Sequence, residues 1–301
     1  MNTTTDRIGL GIVLVITSTA LVALQESTIK ELSASTSLWQ IYVIRSAILV
    51  PAFLALGVFQ GLGTQTLRQA GQKWPLIRSL CFMGVFSATY VAIQSVPLAT
   101  IAAGLYTAPL FVAAITSVWG LEPPNWRRWF AILMGFVGVL LILKPATSSF
   151  DWLTTIPVIG GLCYALVGIV TRTRCRSIPP TSIAMSLTLT LLVFGLFGTL
   201  FVQVTNQVDN ANAFLLGPWQ SLGGREWLFL AALSVLMFGN GLVLPAAYQL
   251  APTTIVATFD YSFLLFSAFL GFLFFGEVPD VVSVIGMAMI VGAGLIVARS
   301  A

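Results

Sequence analysis

Histidine is absent from this 301-residue chain. That absence removes His-based catalytic triads, HExxH zinc sites and histidine proton relays together. Charge is scarce as well: Asp, Glu, Lys and Arg make up 8% of the residues, where soluble domains carry about 25%. Cysteine is limited to Cys81, Cys163 and Cys175. Their spacing fits neither a metal site nor a disulfide framework, so they read as plain thiols. There is no Gly-rich Lys loop for a nucleotide phosphate and no persuasive nucleophile with its base. An ATPase built into the chain is excluded, a membrane-embedded enzyme is disfavoured, and neither cofactor nor metal is expected.

What is abundant is apolar surface, with 57% hydrophobic residues. A soluble fold must still show roughly half of its surface to water, so lipid is the solvent that fits. The net charge of +4 does not point to nucleic acid, because the basic residues are scattered between apolar blocks and not gathered into a patch. In a membrane protein such charges set orientation.

A spanning helix needs about 20 mostly apolar residues. Ten such blocks are present, at about 8–30, 38–60, 74–95, 98–120, 127–144, 152–171, 181–204, 226–249, 253–276 and 279–298. The first, following Asp6-Arg7, reads as a retained helix and not a signal peptide. Two joints carry a proline with almost no polar spacer, at Pro97 and Pro252, and read as tight turns between antiparallel helices. With the N-terminus inside, ten Lys and Arg residues fall on the cytoplasmic side: Arg7, Arg68, Lys73, Arg78, Arg127, Arg128, Arg172, Arg174, Arg176 and Arg299. Three fall outside, Lys30, Lys144 and Arg225, and Arg45 stays within a helix. This bias favours ten spans with both termini cytoplasmic.

Over the fourth and fifth blocks against the ninth and tenth, the two halves align without a gap at an offset of 155 residues. Pro97 meets Pro252, Tyr106 meets Tyr261, Glu122 meets Glu277 and Pro124 meets Pro279. The fold expected is all-α integral membrane: ten transmembrane helices as two inverted five-helix repeats, 8–145 and 152–298. Five is odd, so the halves enter the membrane with opposite orientation, a design of secondary transporters with substrate bound near the midplane.

Several motifs sharpen this reading. An arginine lies in the second block, in Ile41-Tyr42-Val43-Ile44-Arg45-Ser46. Pro109-Leu110-Phe111 precedes Glu122, and Gly135, Gly138 and Leu140-Leu141-Ile142 follow. The second half keeps Gly276-Glu277 and Gly292-Ala293-Gly294-Leu295-Ile296, but has Leu264 where the first has Pro109. The whole chain thereby resembles the EamA-type ten-helix members of the drug/metabolite transporter superfamily. The resemblance implies an exporter or exchanger of amino acids or other amine-bearing metabolites, or an importer of vitamins or related compounds. It also implies a multi-pass place in a bacterial inner membrane. It does not choose a substrate, because one such scaffold hosts many.

Charges inside a bilayer cost several kcal/mol unless paired or hydrated, so they are candidate functional groups. Glu26 and Arg45 lie at comparable depth near the outer side and are expected to form a gating or structural ion pair. The competing role for Arg45 is a substrate carboxylate. Asp260 replaces Leu105 of the first repeat, so the shared fold does not need it. The sequence shows no basic residue at its depth, and it fits a proton site or a counter-charge for an ammonium group. Tyr90, Gln94, Tyr106, Asn240, Tyr248 and Tyr261 are the polar and aromatic candidates for substrate or proton contact. Trp39 and Tyr42 are expected at the outer mouth. The partners expected are a small-molecule substrate and membrane lipid, with protons, exchange or no coupling as the open alternatives; a monomer suffices. A channel would need a continuous polar pore with repeated selectivity elements, and polar residues here are sparse.

The charge count yields a direct test of topology. In a cysteine-free background, cysteines at Thr3 and Ser300 should both resist a membrane-impermeant thiol reagent added outside intact cells. Labelling of either one from outside would break the ten-span, inverted-repeat assignment.

Overall fold

The computed structural model describes residues 7–105, 107–118, 126–143, 152–205, 213–251 and 253–299. The chain forms fourteen α-helices among these residues, and no strand. They are α1 (Ile8–Leu32), α2 (Leu38–Phe59), α3 (Gln65–Ala70), α4 (Lys73–Ala92), α5 (Leu98–Leu105), α6 (Ala108–Val118) and α7 (Trp126–Leu143). After a 3-10 turn at Trp152–Thr155 come α8 (Ile156–Arg174), α9 (Pro180–Thr205), α10 (Ala213–Leu216), α11 (Gly224–Leu250), α12 (Thr253–Asp260), α13 (Ser262–Phe275) and α14 (Val281–Arg299).

Six of the helical stretches, those of α1, α2, α4, α8, α9 and α11, are long and apolar enough to cross a membrane. The remaining apolar helices are shorter. Two of the expected spans are interrupted locally, and at the second the intervening Tyr261 keeps helical dihedrals, φ −58° and ψ −17°. Block 98–120 is divided into α5 and α6, and block 253–276 into α12 and α13. The interruptions fall after Leu105 and after Asp260, two positions 155 residues apart. Hydropathy is blind to such a break because the flanking residues stay apolar on both sides. The chain turns at Thr107, whose hydroxyl donates to Gly104 O at 2.7 Å. Irregular backbone at membrane depth is tolerated beside protein or a cavity, and α8 supplies that cover. A Cβ on Gly161 would stand 2.8 Å from Gly104 O and 2.9 Å from Leu105 O, so only glycine lets α8 lie directly on the break.

The most extensive helix contacts are α7 with α14, α1 with α11, α4 with α8, and α2 with α9. Advancing the chain by one repeat turns the α1–α11 pair into the α8–α4 pair and maps the other two pairs onto themselves. Two glutamines mark the same relation. Gln94 Nε2 donates to Ser33 O at 2.9 Å, tying the end of α4 to the end of α1. Gln249, exactly one offset later in sequence, donates from Nε2 to Cys175 O at 3.0 Å and Ile178 O at 2.7 Å. It ties the end of α11 to the α8–α9 connection. Each glutamine satisfies carbonyls that a finished helix leaves open.

Candidate functional site

A central cavity runs between α1, α4, α8, α11 and the α12–α13 break. Its open space is about 60 Å³, room for a few waters at roughly 10–15 Å³ each by this measure. A metabolite fits there only after side chains move, so this conformation is closed down on its site.

Four sequence candidates line the cavity: Glu26, Tyr90, Asn240 and Asp260. Asp260 ends α12 and is 2% exposed. Asn240 Oδ1 accepts from Ser18 Oγ at 2.6 Å, which joins α1 to α11 at mid-depth. Next to it, the Thr19 and Ser262 hydroxyls share a 2.8 Å hydrogen bond, joining α1 to the start of α13. Tyr248 and Tyr261 are buried close by. Tyr248 lies within electrostatic reach of Asp260 and of Arg78. Gln94 is not a cavity residue, because its amide is taken up at Ser33. Tyr106 lies outside the described residues.

The expected Glu26–Arg45 pair is not formed. Arg45 is fully buried, and its Nε, Nη1 and Nη2 have no hydrogen-bond partner; nor does Glu26 Oε2. Equal depth does not fix direction around a helix axis. Glu26 faces the cavity, whereas the Arg45 guanidinium sits 5.7 Å from the centroid of the Tyr42 ring. The expected outer mouth is also different. Tyr42 is buried with its ring 6.1 Å from that of Tyr90. Trp39 Nε1 donates to Leu215 O at 2.7 Å, which anchors it beside α10.

Two features escaped the sequence reading. Arg78, counted there as a cytoplasmic charge, is 1% exposed and lines the cavity. Its Nε donates to Thr171 Oγ1 at 2.7 Å. The cavity that holds Asp260 therefore also holds a buried cation. The second feature is a clasp at the end of the bundle that the charge count places outside. Lys30 Nζ pairs with Glu277 Oε1 at 2.5 Å and donates to Val96 O at 3.2 Å. Glu277 Oε2 accepts from the Leu98 N–H at 2.9 Å, satisfying an open donor at the start of α5. The left-handed Gly276, at φ 65°, turns the chain so that Glu277 comes back over α5. One carboxylate thus links the end of α1, the α4–α5 turn and the end of α13.

The clasp predicts a measurable gate. A cysteine at Thr19, in a cysteine-free background, should react slowly with an impermeant thiol reagent applied from the clasp side. Glu277→Gln should speed that labelling several-fold. The Lys30→Glu, Glu277→Lys exchange should restore closure only in part, because an ammonium cannot accept from Leu98 N–H. An unchanged rate in Glu277→Gln would show that the clasp does not hold this end shut.

A model of the EamA-like transporter family matches residues 9–144 and 152–299. Similar curated proteins include a riboflavin transporter of Vibrio cholerae, 28% identical over 83% of this chain and 78% of its own. An S-adenosylmethionine uptake transporter of Rickettsia felis is 26% identical over 79% and 76%. The pseudopaline exporter CntI of Pseudomonas aeruginosa is 25% identical over 98% of both chains. One crystal structure, 16% identical, superposes with a TM-score of 0.62 over 93% of this chain and 94% of its own, which shows a shared fold.

Proposed function

Because this chain belongs to the EamA-like transporter family of the drug/metabolite transporter superfamily, and is an integral membrane transporter of small molecules and not an enzyme, we propose that it is a secondary active transporter working by alternating access between two inverted five-helix repeats. The observation that carries this reading is the pair of local helix interruptions. Both interruptions occur at repeat-equivalent places, and residues beside both, Leu105 and Asp260, line the central cavity. Discontinuous helices at a midplane site are characteristic of such transporters, and rocking one repeat against the other opens either side in turn. The matching roles of Gln94 and Gln249 and the exchange of helix pairs support the inverted repeat.

The substrate is read as a small polar metabolite bearing an amine, with Asp260 and Glu26 as the acids that meet it, and the direction as export or exchange. The pseudopaline exporter among the relatives supports that direction. Import of a vitamin or related metabolite is the second reading, favoured by the riboflavin and S-adenosylmethionine uptake transporters. The host membrane is read as a bacterial inner membrane with both termini cytoplasmic and the protein as a monomer; proton coupling and exchange are the alternatives that the following experiment separates.

Purified protein in liposomes, screened with amine-bearing metabolites and vitamins with and without a pH gradient, tests these readings together. Asp260→Asn keeps size and removes charge. A proton role for Asp260 predicts loss of the response to the pH gradient with exchange retained. An ammonium role predicts weaker affinity for amines under both conditions. Wild-type affinity, rate and pH dependence would remove Asp260 from the mechanism.

A further inference from the structure

The face that α4 turns to the cavity carries a repeating pattern. Arg78, Phe82, Phe86 and Tyr90 are spaced by four residues, so they lie in one row along the helix, and all four line the cavity. The row is continuous. The Arg78 guanidinium is 4.8 Å from the Phe82 ring centroid. Phe82 and Phe86 stack with centroids 5.6 Å apart, and Phe86 and Tyr90 at 5.7 Å with planes 2° apart. Beyond Tyr90 the row continues through Tyr42, 6.1 Å away, to the buried Arg45.

Packing alone does not call for this ladder. One repeat later, the same four positions are Leu233, Met237, Gly241 and Pro245. Three of these, Met237, Gly241 and Pro245, line the same cavity. α4 therefore contributes a row of aromatic rings to the lining, whereas α11 contributes Met237, Pro245 and a glycine that presents no side chain. Such a lining suits a flat ring, which packs edge-to-face or offset against aromatic side chains and takes apolar contact from the α11 residues. Arg78 stands at one end of the row. Its Nε is held by Thr171, and no acid is paired with it among the described residues. A buried guanidinium without a counter-ion is costly unless a ligand supplies the anion, and its planar fork suits a carboxylate or a phosphate.

We propose that the α4 ladder is the substrate's seat, and that the substrate class is a planar aromatic ring carrying an anionic group, with the ring on Phe86 and the anion at Arg78. This rests on the transporter reading and narrows it. Glu26 and Asp260 remain to meet an amine where the molecule has one.

Flux into proteoliposomes tests this with two matched sets, each measured against protein-free vesicles and beside a wider panel of ring-free metabolites. The phosphate set is adenosine monophosphate, neutral adenosine and ring-free glycerol 3-phosphate. The carboxylate set is tryptophan, tryptophanamide and ring-free leucine. In at least one set the ringed anion should move in preference to both controls, and which set responds identifies the anion as phosphate or carboxylate. Phe86→Leu, which keeps an apolar side chain of similar bulk, should weaken the ringed compound roughly tenfold. It should leave ring-free competitors unchanged. Arg78→Gln should erase the preference for the anion over its neutral counterpart while ring binding persists; elution as a single sharp peak in detergent checks that each variant folds. Transport of ring-free metabolites with neither ringed anion preferred, or Phe86→Leu flux equal to wild type, overturns the ladder assignment and leaves the transporter standing. Saturable flux of nothing in either set or the wider panel overturns the transporter reading, and the ladder assignment falls with it.

Discussion

A charge or open backbone group surrounded by hydrocarbon has no water to turn to, and leaving it unmet costs several kcal/mol. That constraint places almost every polar residue described here. It makes helices the elements, since a helix closes its own hydrogen bonds. It allows the breaks after Leu105 and Asp260 only at the central cavity, with Gly161 drawing α8 over the first of them. It brings Glu277 onto both Lys30 and the Leu98 N–H, so that one carboxylate answers an ammonium and a helix start. The same demand leaves Arg45 and Arg78 conspicuous. Both are buried guanidinium groups, and among the described residues neither is paired with an acid.

The two repeats separate architecture from specialisation. Where they agree, the residues hold the bundle together. Gln94 and Gln249 serve corresponding carbonyls at opposite ends, and Pro97 follows the first as Pro252 follows the second. Several of the positions where they differ face the cavity. Asp260 stands against Leu105, and Arg78, Phe82, Phe86 and Tyr90 stand against Leu233, Met237, Gly241 and Pro245. A duplicated scaffold can keep both functions apart in this way, because packing constrains both copies alike while the cavity-facing positions are free to diverge.

Much of the fold was legible because burial in lipid writes long apolar blocks into the sequence. The blocks expected to start at 38, 181 and 226 from hydropathy begin at Leu38, Pro180 and Gly224. The interruptions were not legible, since hydropathy does not register a local lapse of helical hydrogen bonding between apolar residues. The site was legible in part. Asp260, Asn240, Tyr90 and Glu26 share a cavity, and each had been selected as a polar group within a span. Arg78 was misplaced because a charge six residues into α4 looks like the end of a helix, and depth along the axis says nothing of which way the side chain turns. The spacing of four between Arg78, Phe82, Phe86 and Tyr90 was there to be read as a stripe. The Lys30–Glu277 pair was not, because 247 residues separate its members.

The breaks and the clasp belong to the same half-helices. α5 starts at Leu98, whose N–H is held by Glu277, and ends at Leu105 on the cavity. α13 starts just after Asp260 and ends at the Gly276 turn that delivers Glu277. α5 is eight residues long, ~12 Å at the α-helical rise. A rigid element of that length carries a displacement at one end to the other. A ligand can shift the clasp only by binding its two states unequally, and the cavity end of α5 and α12–α13 is where such unequal contacts can arise. An unbroken helix would spread that displacement across the membrane. Two short ones, ending at the cavity and tied together by one carboxylate, would confine it to the clasp's side, which is what the proposed opening of one end at a time requires.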